Sequence, residues 1–380
     1  MLEEIKKAYK TANATLNPSQ VGYVIFYVTN RCNFRCKFCF YYAEIEKGRK
    51  PEELTLEEID KISKSTGSLL QLSLTGGEPF LRKDFAELTN IWIKNTGVRF
   101  VTIPTNASLK DRMIRYLHEV LPKHPSTFFR LAFSIDGISE EHDLNRFMPG
   151  SYNKIIECYN EISPLREKYH NLILDTNTVF TSSTEGKILE ILTHLNENFE
   201  FDNHTVTYAR GDIKDENLKS DAKNEYIKMN EFLNNLERKK EKRFMYPAYR
   251  AVRDVAWKNL MSVVFDDKFV TPCVAGRKLI VISETGVVRP CEMLDKTIGD
   301  LRDYNFDVKK LMASQEKKEL ADWIIKSKCK CSFECAHAAN VVWNFSEIPK
   351  IIKEIPKNIG KSRRSYSELS RDEFIPKAKS

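Results

Sequence analysis

The sequence predicts an α/β fold built on a parallel sheet, followed by a smaller α+β unit. Apolar strand-like runs alternate with amphipathic helical stretches six times in succession up to about residue 212. Strands separated by helices pair in parallel through right-handed crossovers. Composition then shifts at Lys214 to a Lys/Glu/Asn-rich stretch. Beyond it, two short apolar runs flank Glu284-Thr285-Gly286, which reads as a β-hairpin, and five cysteines gather around them.

Residues 1–17 read as a polar N-terminal helix ending at the turn Asn17-Pro18-Ser19. Expected strands are Tyr23–Thr29, Leu70–Thr75, Arg99–Pro104, Phe129–Ile135, Leu172–Phe180 and His204–Ala209. In the second, Leu70, Leu72 and Leu74 alternate with Gln71, Ser73 and Thr75, a period of two. The pattern Thr55-Leu56-Glu57-Glu58 is a capping box that opens the first intervening helix. Asp84–Lys94, Leu109–Leu121, Tyr152–Tyr169 and Glu185–Asn198 supply the other helices. These units make a domain over 18–212 and a helical bridge of one or two amphipathic helices over 213–270. The hairpin Leu279–Ser283/Gly286–Arg289 and a helix from Phe306 to Lys326 belong to a small domain over 271–345, and 346–380 is a basic tail. The tail's paired apolar residues and two prolines argue against one long helix and for packing on the protein. The run Lys239-Lys240-Glu241-Lys242-Arg243 reads as a solvated face.

Composition is that of a soluble protein, with 42% hydrophobic and 30% charged residues. No apolar run approaches the roughly 18 residues of a transmembrane span, and no signal-peptide core follows Met1. A cytoplasmic location is expected. The net charge of +7 suits an acidic partner, but base-stacking aromatics are not interleaved with the Lys/Arg runs. Nucleic acid is therefore not an expected partner. A non-catalytic metal protein binding nucleic acid through its basic surface is the alternative class.

Nine cysteines fall into two clusters with Cys158 alone between them, a pattern of metal or cluster binding rather than disulfides. Cys158 sits mid-helix and reads as a small buried apolar residue. Cys32, Cys36 and Cys39 follow the first strand at C-x3-C-x2-C spacing. Three thiolates are one short of a closed zinc site. On a cubane cluster they leave one iron without a protein ligand. The second group is Cys273, Cys291, Cys329, Cys331 and Cys335, enough for one four-ligand site with one to spare. Closed four-thiolate zinc sites use similar spacings.

The C-x3-C-x2-C stretch, with Phe38 before the last cysteine, resembles the signature of the radical S-adenosylmethionine (radical SAM) superfamily. The resemblance extends to Gly76-Gly77-Glu78 after the second strand, Asn106 after the third, and Ser134-Ile135-Asp136-Gly137 with His142, Asp143, Arg146 and Gly150-Ser151 after the fourth. It implies a partial (β/α)6 TIM-like barrel with its site at the strands' C-terminal ends. It also implies a 4Fe-4S cluster on Cys32, Cys36 and Cys39 whose open iron binds SAM. Reductive cleavage of SAM then gives a 5′-deoxyadenosyl radical that abstracts hydrogen from a substrate carbon. Gly76, Gly77, Glu78, Asn106, Ser134, Asp136 and Arg146 become SAM contacts by the same resemblance. Arg146 would meet the carboxylate through its planar fork.

The order C-x12-G-x4-C over Cys273, Gly286 and Cys291 resembles the opening of the twitch and SPASM auxiliary-cluster domains. The later C-x-C-x3-C departs from the SPASM pattern, so one auxiliary 4Fe-4S cluster is expected rather than two. Spacing does not single out the spare cysteine. In the sulfatase-maturing branch an acidic residue after the second cysteine is the catalytic base, which points to Glu292; a pairing with Arg289 is the plainer reading. Arg210 and Asp212, beyond the sixth strand, read equally as a surface ion pair or as substrate contacts. The expected reaction is oxidation, epimerisation or crosslinking of a small molecule or peptide, with flavodoxin or ferredoxin as electron donor. Few residues precede the first strand, which weakens the case for the N-terminal leader-binding module of peptide-modifying relatives.

Overall fold

A computed structural model of the chain describes residues 2–47, 52–220, 222–235 and 246–358. The charged run 239–243 and the tail beyond residue 358 lie outside them. Six strands, β1 (Tyr23–Thr29), β2 (Gln71–Gly76), β3 (Phe100–Thr105), β4 (Phe128–Ser134), β5 (Leu172–Phe180) and β6 (Asn203–Tyr208), pair in parallel in sequential order. β1 and β5 occupy the residues expected of them, and the other four start or end one residue away. The sheet does not stop at β1. β7 (Leu279–Ile282) pairs in parallel with β1, Tyr23 opposite Leu279, and β8 (Val287–Arg289) and β9 (Gly299–Asp300) follow antiparallel. The expected hairpin is present, and it extends the same sheet to nine strands.

Burial on both faces explains the continuous apolar run of β1. Val24, Phe26 and Val28 pack into the cluster beneath the helices, beside Leu54, Ile59 and Trp92. Tyr23, Ile25 and Tyr27 face the other way, against Cys273, Cys291, Phe333 and Ala336. Each such side chain contributes roughly 1.5–3 kcal/mol on burial.

The helices are α1 (Leu2–Leu16), α2 (Tyr42–Glu46), α3 (Leu56–Thr66), α4 (Phe85–Thr96), α5 (Lys110–Val120), α6 (Glu140–Arg146), α7 (Ser151–Ile162), α8 (Leu165–Lys168), α9 (Ile188–Asn198), α10 (Lys223–Asn235), α11 (Tyr246–Asp266), α12 (Val308–Met312), α13 (Gln315–Lys326), α14 (Glu334–Trp343) and α15 (Ile348–Glu354). The capping box opens α3 as expected: Thr55 Oγ1 accepts from Glu58 N at 3.2 Å and Glu58 Oε2 from Thr55 N at 2.8 Å. Two expected helices are broken. The stretch from Tyr152 to Tyr169 splits at Ser163-Pro164 into α7 and α8, where proline favours a first helical turn over an interior. The stretch from Phe306 to Lys326 splits because Ser314, extended at ψ 160°, caps α13 through Lys317 N at 3.2 Å.

The segments after β6 fold back across the sheet. From α11, Tyr249 Oη accepts from Arg130 on β4 at 2.7 Å and Arg253 donates to Asn203 on β6 at 3.3 Å. The described part of the tail packs on α11, with Lys258–Glu354 at 2.7 Å and Asn259 donating to Glu347 at 3.0 Å. Among the described residues no helix is long and apolar enough to cross a membrane.

Candidate functional site

The loop after β1 alternates buried Phe34, Cys36 and Phe38 with exposed Arg35 and Lys37. The alternation turns Cys36 inward, and Cys32 and Cys39 pack beside it half-buried. Phe34 N donates to Cys32 Sγ at 3.4 Å, and Arg146 Nη1 lies 3.8 Å from Cys36 Sγ. Burial pushes the Cys32 thiol up to about 12 and Cys39 up to about 11, the neighbouring thiols adding to both. Burial also raises Cys36, against the pull of Arg146. Thiols so placed ionise readily only when a metal compensates their charge.

The end of β2 locks this loop. A Cβ on Gly77 would stand 2.2 Å from Arg31 O and 2.9 Å from Cys32 Cβ. Gly76, at φ +140°, would meet Thr29 O at 2.2 Å. The glycines therefore serve a close approach of the strand end to the cysteine loop. Gly77 N and Glu78 N donate to Thr29 O and Arg31 O at 2.9 and 2.8 Å. Glu78 is buried and its carboxylate is occupied: Oε1 accepts from Thr105 Oγ1 at 2.9 Å and Phe80 N at 3.2 Å, Oε2 from Asn106 N at 2.8 Å. Burial raises its pKa to about 7 despite those donors. Asn106 Nδ2 donates to Asn33 in the cysteine loop at 2.9 Å.

On the other side, Arg146 Nε donates to Asp136, whose Oδ1 accepts from Val179 N at 2.6 Å. The Arg146 guanidinium lies 5.2 Å over the Phe38 ring. Ser134, buried at the end of β4, is paired in register with Asn177. Asn177 Oδ1 is buried with no partner among the described residues. Cys32, Cys36, Cys39, Glu78, Asn106, Asp136 and Arg146 thus form one connected neighbourhood at the C-terminal ends of the strands.

The second cysteine group is held by α14. Asn340 Oδ1 accepts from Val274 N at 2.8 Å and Asn344, the C-cap, donates to Pro272 O at 2.9 Å, so the helix fixes the Cys273 segment while Cys335 lies in its first turn and Cys331 just before it. Cys273 and Cys291 are buried and Cys329, Cys331 and Cys335 half-buried; all five thiols are raised by burial. Cys273, Cys329 and Cys331 line a small cleft with Thr271 and His337. Thr271 Oγ1 and His337 Nδ1 are buried there without partners among the described residues. Three thiols and two unsatisfied polar atoms around one cleft fit a bound metal group. Among the described residues no three His, Cys, Asp or Glu side chains converge closely enough for a single metal ion. Ligands of a multi-iron cluster each bind a separate iron and need no such convergence.

Arg210 joins the two groups. Its guanidinium lies 5.5 Å from the Phe40 ring, next to Cys39, and 4.7 Å from the Phe333 ring, between Cys331 and Cys335. It pairs with Glu334 at 2.5 Å and with Glu292 at 3.3 Å. Glu292 Oε1 also accepts from Tyr27 Oη at 2.6 Å, and Glu334 Oε1 from Tyr208 N at 2.9 Å. Glu292's partner is therefore Arg210 and not Arg289, and Arg210 is no surface pair with Asp212. Tyr27, Glu334, Thr271 and His337 were not singled out from the sequence. Cys158 is buried against Met113, 3.6 Å away, as expected of an apolar residue.

The Radical SAM superfamily model matches residues 26–195. The GTP 3′,8-cyclase of Alkaliphilus oremlandii (strain OhILAs) is 31% identical over 144 residues, 37% of this chain and 43% of that protein. That of Haemophilus influenzae (strain PittEE) is 35% identical over 89 residues, 23% of this chain and 26% of that one. The matches thus span less than half the length of these curated relatives. Two solved structures share the fold: anSMEcpe with bound AdoMet, with TM-score 0.56, 18% identity, and 90% of this chain and 99% of that chain covered; and Streptococcus suis SuiB bound to S-adenosylmethionine, with TM-score 0.57, 16% identity, and 85% and 73% covered. With the cysteine loop, the Gly-Gly-Glu lock and the parallel sheet, these matches identify residues 26–195 as a radical SAM superfamily domain.

Proposed function

We propose that this chain is a radical SAM enzyme with one auxiliary 4Fe-4S cluster, acting by oxidation, epimerisation or crosslinking on a small molecule or a peptide. The observation that carries the reading is the seating of the Cys32/Cys36/Cys39 loop against Gly77 and Arg146, with a second cysteine group tied to it through Arg210. Cys32, Cys36 and Cys39 would hold the first cluster and the C-terminal cysteines the second. When bound, cluster and SAM supply a 5′-deoxyadenosyl radical able to remove hydrogen from an unactivated carbon.

The chain's own residues supply position and charge. Glu78 orders the turn that fixes the cysteine loop, and Arg146 sets a cation against Cys36. Gly76, Gly77, Asn106, Ser134 and Asp136, at the C-terminal ends of their strands, would meet SAM's polar groups. Asn177 Oδ1 seeks a donor there. Glu292, held at both oxygens by Tyr27 and Arg210, is placed to orient substrate or take a proton from it. Exposed Arg35 and Lys37 flank Cys36 and suit an acidic electron donor such as flavodoxin or ferredoxin. The small domain over 271–345 fits a twitch-like role even though its hairpin continues the main sheet. The named relatives are GTP 3′,8-cyclases, and a SuiB structure holds the precursor peptide SuiA, so both substrate classes stay within the reading.

The test is anaerobic incubation of the reconstituted, reduced protein with SAM, followed by chromatography. Formation of 5′-deoxyadenosine, lost in Cys36→Ala, is expected. Intact SAM after full cluster loading would refute the reading.

A further inference from the structure

The cleft beside the C-terminal cysteines carries a site residue outside the cysteine set. His337 stands on α14 and is 5% exposed. Its Nε2 lies 2.8 Å from Cys331 O. A carbonyl only accepts, so Nε2 holds the proton and Nδ1 of the neutral ring keeps its lone pair. That Nδ1 is buried without a partner among the described residues. His337 lines the same cleft as Cys273, Cys329 and Cys331. A metal-bound histidine commonly donates its other ring N–H to a backbone carbonyl, which fixes tautomer and ring orientation. His337 has that hydrogen bond already, made to the carbonyl of one of the thiol residues. Thr271 Oγ1, equally unpartnered, is a hydroxyl donor available to a thiolate of the cleft.

Cys335 has different surroundings. It does not line the cleft. Its polar and charged neighbours are Arg210, Glu292, Glu334 and the Tyr23 hydroxyl. Cys291 neighbours Cys273, Cys329 and Cys331.

We propose that His337 Nδ1 is a ligand of the group bound by the C-terminal cysteines, joining three of the four mutually neighbouring thiols Cys273, Cys291, Cys329 and Cys331, and that Cys335 is not a ligand. This rests on the reading that these cysteines hold a cluster. Three sulfurs and one nitrogen complete a four-donor site, and imidazole in place of one thiolate removes a negative charge from it.

The experiment uses the full chain carrying Cys32→Ala, Cys36→Ala and Cys39→Ala, so that only the second site can load. The protein is grown with 15N-labelled or unlabelled histidine, reconstituted anaerobically with iron and sulfide, reduced, and measured by pulsed EPR. A directly bound histidine nitrogen that shifts with the isotope is expected. It is absent in His337→Ala and retained in Cys335→Ser. No histidine nitrogen coupling, or coupling that survives His337→Ala, overturns the assignment without touching the cluster reading. Should the site take up zinc instead of iron, the cluster reading fails. X-ray absorption then decides on His337: three sulfurs and one nitrogen uphold it, four sulfurs overturn it. A site that binds neither metal contradicts both. The labelled protein needs no His337 variant for its first readout, so a misfolded variant does not remove the test.

Discussion

The Arg210 side chain is 12% exposed and balances two carboxylates, Glu292 and Glu334, each adjacent in sequence to a cysteine. Removing the cation strands both acids in a site that already raises Glu334 through burial. Arg210→Met is therefore expected to destabilise the metal-free protein by about 3–5 kcal/mol, read from urea midpoints. Arg210→Lys recovers only part, because an ammonium neither forks nor stacks between Phe40 and Phe333. An unchanged midpoint in Arg210→Met would mean that the pair is solvated. His142 makes a separate case. It is fully buried, its Nδ1 accepts from Asp136 N at 3.1 Å, and burial lowers its pKa from 6.5 to about 3. In that window the unfolded chain binds a proton that the folded chain does not, so stability is lost as pH falls from 6.5 toward 3. His142→Asn should flatten this acid limb, which amounts to at most ~5 kcal/mol. An identical pH slope in the variant would show that the ring titrates normally. At this scale the sequence was readable where chemistry needs fixed spacing, as for Cys32, Cys36 and Cys39. Glu292's partner was not, since Arg210 lies 82 positions away. His337 stands two residues past Cys335, but its unsatisfied Nδ1 exists only in three dimensions.

At the scale of elements, the pairing of β7 with β1 decides how the C-terminal part stands to the rest. Tyr23 to Phe26 are in register with Leu279 to Ile282, and the inward face of β1 packs on Phe333, Ala336 and Ala339. A chain ending at residue 270 would expose that strand edge and an apolar face together, a combination that drives association. It is expected to aggregate or to bind ANS strongly on size-exclusion analysis. A soluble monomer with weak ANS signal would contradict the continuous sheet. Strand positions were legible because apolar runs bounded by turn residues carry a local signal. Neighbour relations such as β7 on β1 depend on contacts some 250 residues apart along the chain. The two broken helices followed the same logic: periodicity ran on, while Pro164 and the Ser314 cap ended the backbone pattern locally.

For the whole molecule, the nine-stranded sheet, α11 folded across β4 to β6, and α14 gripping the Cys273 segment place two cysteine groups on either side of Arg210. A reaction that starts at one group and passes an electron to the other needs such a fixed relation between them. Mean composition and the net charge of +7 carried no trace of it. The measurement that tests this two-centre account most directly is an iron and sulfide count after anaerobic reconstitution, on the natural sequence and on the Cys32/Cys36/Cys39→Ala variant. The account predicts about eight irons falling to about four. About four falling to none would contradict it, leaving a radical SAM domain whose second cysteine group holds no iron.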